Sequence, residues 1–202
     1  MKAGLKARFD QNLARVKNLA DIYERKLAPA AQGRKPVGST DILRAAAVML
    51  HATVEEFLRG VLEWRLPAQA EDILNDIPLV GSKYGRAEKF LLGRLAQHRG
   101  KTVDLVISES VSASLVRSSY NSVDEIKSAI TSVGLDVVPC QPYFGDLGAL
   151  IQRRHQIVHR ADRNPLIGPG HQAASSIGRH HIREWAFAAQ GLFNAIAAQL
   201  PD

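Results

Sequence analysis

The 202-residue chain reads as an all-α protein, an antiparallel helical bundle of about four main helices with additional short ones. Three observations predict this class. Apolar residues recur at spacings of three and four over several long stretches, the period that lines one face of a helix. Capping residues and helix-ending glycines bracket those stretches. The one run with strand-like content, Thr102 to Ser110 (TVDLVISES), has no second run to pair with, and a lone strand is not a stable element.

Taken in order, Leu5, Phe9, Leu13, Val16, Ala20, Tyr23 and Leu27 predict a long amphipathic helix over residues 2–28. Residues 28–39, with two Pro and two Gly, predict a loop. Thr40 and Asp41 then open a second helix as cap and first-turn acid, and its stripe runs through Leu43, Ala46, Leu50, Val54, Phe57, Val61 and Trp64 until Pro67 stops it. On its flank His51, Glu55 and Arg59 follow one another at i+4. Such a ladder is either a solvated charge row, worth about 0.3 to 0.5 kcal/mol per pair, or a set of groups turned towards another helix.

A short helix is expected between Ala68 and Ile77 and a turn over 78–85. Arg86 to Arg99 forms a further amphipathic helix with Phe90, Leu91, Leu92 and Leu95, ended by Gly100. Lys83, Arg86, Lys89, Arg94, Arg99 and Lys101 either track a phosphate backbone or form a solvated face. Residues 102–120 are expected as a helix or irregular helical turns. Ser122 and Glu125 make a capping box, and Gly134 closes the helix it opens. Leu135 to Asp146 is a connector that leads, through Gly145 and Asp146, into a helix discussed below. Residues 163–176 are a surface loop, and the final helix, from Ile177 to Leu200, buries Ile182, Trp185, Ala189, Leu192, Phe193 and Ile196. Arg179, His180, His181 and Arg183 crowd its first turns. Cations there oppose the helix dipole, which favours retention for an anion or a partner over stability, with an exposed basic turn as the plain alternative.

The length suits one well-buried core, so residues 1–202 are expected as a single domain. An apolar fraction of 46% with 23% charged residues excludes whole-chain disorder. Cys140 has no second cysteine to bridge, Lys2, Lys6 and Arg8 interrupt any secretory-type apolar start, and no run reaches the roughly 18 to 20 apolar residues that span a bilayer. The expected location is therefore cytoplasmic. A net charge of +6 and a pI near 9.7 favour an anionic partner, with nucleic acid first and an acidic protein second. Aromatics, at 6%, are too few for an extended base-stacking platform. Neither a Gly-rich phosphate loop nor a nucleophile elbow is present.

The chemistry concentrates in Arg153-Arg154-His155-Gln156-Ile157-Val158-His159-Arg160. Leu147, Leu150, Ile151, Ile157 and Val158 form an apolar stripe, and Arg154 falls on it, three residues after Ile151 and four before Val158. A folding argument alone places a leucine there. The guanidinium must find a partner or a cleft, or else snorkel to the surface. His155 and His159, spaced i, i+4, share the neighbouring face, so a permanent cation meets two groups that titrate near neutrality. The histidine pair also has the spacing of half a metal site, but no Cys or acid lies within that turn to complete one.

Arg154, followed by a polar His155 and then, after three more residues, by His159, resembles the R-x4-H motif of the HEPN superfamily. The flanking Ile157 to Asp162 (IVHRAD) and the earlier Leu50 to Leu62 (LHATVEEFLRGVL) resemble its RiboL-PSP-type branch. The resemblance implies a HEPN-like bundle that pairs as a homodimer with a composite active site. It also implies an endoribonuclease that works without a metal or other cofactor, with Arg154, His159 and His155 catalytic. Glu55 then stands where such domains often carry an acid that orients a basic group of the motif, while Arg153 and Arg160 hold flanking phosphates and Arg179, His180 and Arg183 are RNA-binding candidates. Domains of this kind commonly serve as toxins in toxin–antitoxin or antiphage systems, so RNA and an antitoxin or regulatory protein are the implied partners. One known variant carries a tyrosine two positions beyond the histidine. Here Ala161 stands in that place, and regulation by adenylylation of a tyrosine is unsupported. A catalytically inactive helical module that binds RNA, nucleotide or a partner protein has the same fold and charge. A structural dimerisation domain with a snorkelling Arg154 is the third reading.

Overall fold

The computed structural model describes residues 1–28, 37–80, 92–164 and 174–201, without the side chains of Leu92 and Arg94. Its helices are α1 (Lys2–Ile22), α2 (Val37–Arg65), α3 (Glu71–Leu74), α4 (Val103–Leu115), α5 (Val123–Ser132), α6 (Phe144–Arg160) and α7 (Arg179–Ala197). Tighter or wider helical turns lie at Tyr23–Leu27, Leu66–Ala68, Leu92–His98 and Val138–Tyr143. No strand occurs among the described residues, where extended pairing is limited to an isolated bridge between Arg163 and Ala174. No described helix is long and apolar enough to cross a membrane. The chain divides into two compact units, one made of Met1–Leu58 with Tyr120–Asp202 and the other of Arg59–Ser119.

The larger unit is built on the stripes that the sequence shows. Leu5, Phe9, Leu13, Val16 and Ala20 of α1, Leu43, Leu50, Val54 and Phe57 of α2, and Ile182, Trp185, Leu192, Phe193 and Ile196 of α7 are all buried. At their centre Phe9 stacks on Phe193 at 4.5 Å between ring centroids, and Phe57 lies 4.8 Å from Phe193. Burying one such ring stabilises by about 1.5 to 3 kcal/mol, and ring pairs add to this. Gly191 of α7 permits a second close approach, because a Cβ there would overlap the Tyr143 ring. The Gln199 amide closes the C-terminal end, accepting from Asp136 N at 2.7 Å and donating to Asp136 O at 3.0 Å.

In the smaller unit Arg59 donates to the carbonyls of Leu115 and Ser118, at 3.2 and 3.0 Å, and so ties the end of α2 to the end of α4. Thr102 caps α4 through Leu105 N, and the Ser110 hydroxyl accepts from Val80 N at 3.0 Å. Residues 102–120, ambiguous in sequence, are thus mostly one helix.

Several local expectations are corrected. Helix α2 begins at Val37, before the expected cap: the Thr40 hydroxyl works inside the first turn, donating to Val37 O at 2.8 Å. Leu27 is exposed because the wider turn at Tyr23–Leu27, closed by Ala28 N on Tyr23 O, rotates it off the α1 stripe. Leu92–His98 winds as a tighter helix, and Leu95 is exposed. Lys83, Arg86, Lys89, Phe90 and Leu91 lie outside the described residues. Val158, expected in the core, is 49% exposed, since burial along α6 ends at Ile151.

Candidate active site

Helix α6 carries the motif, and its two halves differ. Leu147, Leu150 and Ile151 anchor the first half in the core, whereas His155, Val158, His159 and Arg160 are exposed. The helix then stops in an uncommon way. Ala161 and Asp162 both take left-handed backbone, with φ of +48° and +56°, conformations that disfavour side chains with a Cβ. What holds them is a buried ion cluster. The Asp162 carboxylate, 1% exposed, accepts from Arg44 Nε at 2.7 Å and from an Arg153 terminal nitrogen at 2.8 Å. Arg44 also reaches Thr40, Asp41 and the Ser175 carbonyl, and Arg153 reaches the carbonyls of Ser175 and Ser176. Ser175 N in turn donates to Asp162 O at 2.8 Å. The start of α2, the end of α6 and the approach to α7 are locked around one carboxylate.

Arg153 therefore faces inward. Burial lowers its guanidinium below the ordinary arginine range, and the charge and hydrogen bond of Asp162 oppose that shift. One of its terminal nitrogens is spent on the oxygens of Asp162, Ser175 and Ser176, while its Nε is buried without a hydrogen-bond partner among the described residues, so the guanidinium is turned into the protein where the motif resemblance implies a phosphate contact. Arg154, next along the helix, turns the other way. It is half-buried, and one terminal nitrogen lies 3.4 Å from Asn121 Oδ1.

Asn121 is held from three sides. The residue before it, Tyr120, is clamped by one turn of α2: its N–H donates to Glu55 at 3.1 Å, and its carbonyl is 3.1 Å from His51 Nε2. Asn121 N and Ser122 N both donate to Glu125 Oε2, at 2.6 and 3.0 Å, as part of the capping box that opens α5. Because a carbonyl only accepts, His51 Nε2 is the donor to Tyr120, and its Nδ1 faces the Glu55 carboxylate 3.5 Å away. Burial pushes the Glu55 carboxyl up, but the hydrogen bonds from His51 and Tyr120 and the charges of His51 and Arg154 outweigh it. The net pKa lies below the usual glutamate value. Glu55 is thus an ionised acid in the field of Arg154, and the His51–Glu55 ladder is a buried clamp instead of a solvated row.

His155 and His159 lie ring to ring, centroids 4.6 Å apart. Arg154 and His159 are five residues apart on a helix, about 140° around its axis, so the arginine faces α2 and Asn121 while the imidazole pair opens to solvent. Of the α7 candidates, Arg179 pairs with Glu24, and His180 and Arg183 are exposed. His181, from the same basic turn, does more than its neighbours. Its Nδ1 accepts from Gly178 N at 3.0 Å and caps α7, while its ring packs against Trp185 at 5.6 Å and against His180 at 3.9 Å. Burial, then the charge of His180, lowers its pKa below the ordinary histidine value. Among the described residues no group of three His, Cys, Asp or Glu side chains is placed to hold a metal ion.

The model of the family described as RiboL-PSP-HEPN matches residues 10–202 of this chain. No curated protein and no solved structure gives a match.

Proposed function

Because this chain belongs to the RiboL-PSP-HEPN family, we propose that it is an endoribonuclease that needs no metal and cuts RNA through its own 2′-hydroxyl. The 2′-oxygen attacks the adjacent phosphorus as its proton leaves, the bond to the 5′-oxygen breaks, and that oxygen takes up a proton. The products are a 2′,3′-cyclic phosphate and a 5′-hydroxyl end, so the reaction is confined to RNA. His159 exchanges protons with the 2′- or 5′-oxygen, imidazole being the side chain whose ordinary pKa, about 6.5, suits this at neutral pH. Arg154 neutralises charge on the pentacoordinate phosphorus. His155 positions the imidazole it packs on, Glu55 and Asn121 fix the guanidinium, and Arg160 meets a flanking phosphate.

One observation carries this reading: the motif sits on the exposed half of a helix whose other half and whose end are both locked, with Arg154 backed by an ionised Glu55. A homodimer that sets two motifs across one cleft brings Arg154 of one copy towards His159 of the other. The biological role that fits is the effector of a toxin–antitoxin or antiphage defence system, restrained by an antitoxin or regulatory protein. The divergent directions of Arg154 and His159 within one chain favour a second reading, an inactive module that binds RNA, nucleotide or protein. Incubation of purified protein with RNA in EDTA separates the two. Cleavage with cyclic-phosphate ends is expected, reduced by a factor of about 100 or more in Arg154→Ala and in His159→Ala. RNA left intact, together with no toxicity on expression, would leave the binding module.

A further inference from the structure

Away from the motif, α1 and α7 enclose a hollow of about 390 Å³. Ile182 and Ala186 form its apolar floor, Lys17 and Asp21 line it from α1, and Arg183 and Phe187 line it from α7. Phe187 is 72% exposed, so its ring face is open at the rim of this hollow. Tyr143 braces it at 6.4 Å between centroids.

The charge around the ring is lopsided. Asp21 is within 4.0 Å of Arg25 and Arg179 is paired with Glu24, whereas Lys17 and Arg183 have no ion-pair partner among the described residues. The positive N-terminal end of α7 adds potential of the same sign. An aromatic ring that lines one hollow with two available cations, over an apolar floor, fits a ligand that is flat at one end and anionic at the other. The volume lies near the small end of the range for ligand sites, about 300 to 1,000 Å³, and suits one nucleotide better than a docked helix.

We propose that this hollow is a nucleotide subsite in which a base stacks on Phe187 and its phosphate is held by Lys17 and Arg183. The nucleotide is either one residue of an RNA strand or a free mononucleotide. For its link to RNA the proposal rests on the ribonuclease reading.

The test is the anisotropy of a labelled, mixed-sequence single-stranded RNA on the full chain carrying His159→Ala, so that binding is read without cleavage. Added Phe187→Ala or Arg183→Glu is expected to weaken binding about tenfold, while Phe187→Trp retains it. Circular dichroism of each variant checks the fold, and an unfolded Phe187→Ala is replaced by Lys17→Glu, with the same expectation. Competition by adenosine and uridine monophosphates assigns the site to free nucleotides, and displacement by strands alone assigns it to RNA. Unchanged RNA affinity in folded Phe187→Ala and Arg183→Glu overturns the proposal. So does conversion of a dimer to a monomer by Phe187→Ala, which would give the hollow to a second copy, or occupancy by an acidic peptide that RNA does not displace. RNA that wild-type protein binds through Phe187 but never cuts sinks the ribonuclease reading alone. RNA that it cuts, with both variants at parent affinity, sinks the subsite alone.

Discussion

At Asp162 a single carboxylate oxygen answers two guanidiniums, those of Arg44 and Arg153, in a position that is 1% exposed. Replacing it by asparagine keeps the shape and removes the charge, leaving two buried cations with Asp41 as the remaining acid on Arg44. Breaking a buried ion pair from one side costs about 3 to 5 kcal/mol. Asp162→Asn is therefore expected to lower stability by about 3 kcal/mol, read as a shift of the urea midpoint, because the left-handed turn after His159 loses what holds it. A midpoint equal to the parent's would show that the cluster contributes nothing to the fold. The sequence carries little sign of this arrangement. Arg153 and Arg154 are neighbours of one type, and helical geometry says only that they diverge, not which of them meets an acid. A left-handed Asp has no periodic signature, and neither has Asn121, which meets Arg154 from 33 positions away. Arg154 stands out in the sequence because it interrupts an apolar stripe, and His155 with His159 because they share an i, i+4 spacing; the place of Glu55 beside a basic group came from the resemblance, and the structure sets Glu55 in the field of Arg154.

Helix α7 carries a histidine at the position where a capping box has Glu or Gln. His181 caps Gly178 N with an unprotonated Nδ1, and its pKa is held down by burial and by His180, with Arg153 adding to this and Glu184 opposing it. A depressed histidine pKa means that, as pH falls, the unfolded chain takes up the proton before the folded one does. This contribution is whole above about pH 6.5, declines below it, and levels off once the folded ring is itself protonated. Urea midpoints between pH 5 and 8 should fall with acidity, by at most about 1.4 kcal/mol per pH unit from this group, and His181→Gln should flatten that slope. A slope unchanged by the substitution would remove His181 as its source. As elements, α1, α2 and α7 were readable from their apolar stripes and α5 from its capping box, since apolar period and capping chemistry are properties of the chain itself. The errors lie at ends. Leu27 and Val158 keep the right spacing, but a widened turn rotates one away and the other lies beyond the buried stretch of α6.

At the scale of the whole molecule, the 140° between Arg154 and His159 makes catalysis a question of how many copies form one site. If each chain uses its own pair, an Arg154→Ala chain and a His159→Ala chain are both dead and remain dead when mixed. If the two-fold pairing sets Arg154 of one copy against His159 of the other, a mixed dimer keeps one intact pair, because the Arg154→Ala copy supplies the imidazole and the His159→Ala copy the guanidinium. Random exchange of equal amounts makes half the dimers mixed, each with one of two pairs working, so about a quarter of wild-type cleavage should return. The measurement is RNA cleavage in EDTA before and after the two variants are mixed under conditions that allow exchange, with sedimentation confirming dimers throughout. Recovery on mixing requires a groove shared between copies, since neither chain alone holds both groups. Dimers that exchange without any recovery would confine each Arg154 and His159 to its own chain, and the helix would then have to bend substrate around its surface to bring both to one phosphate.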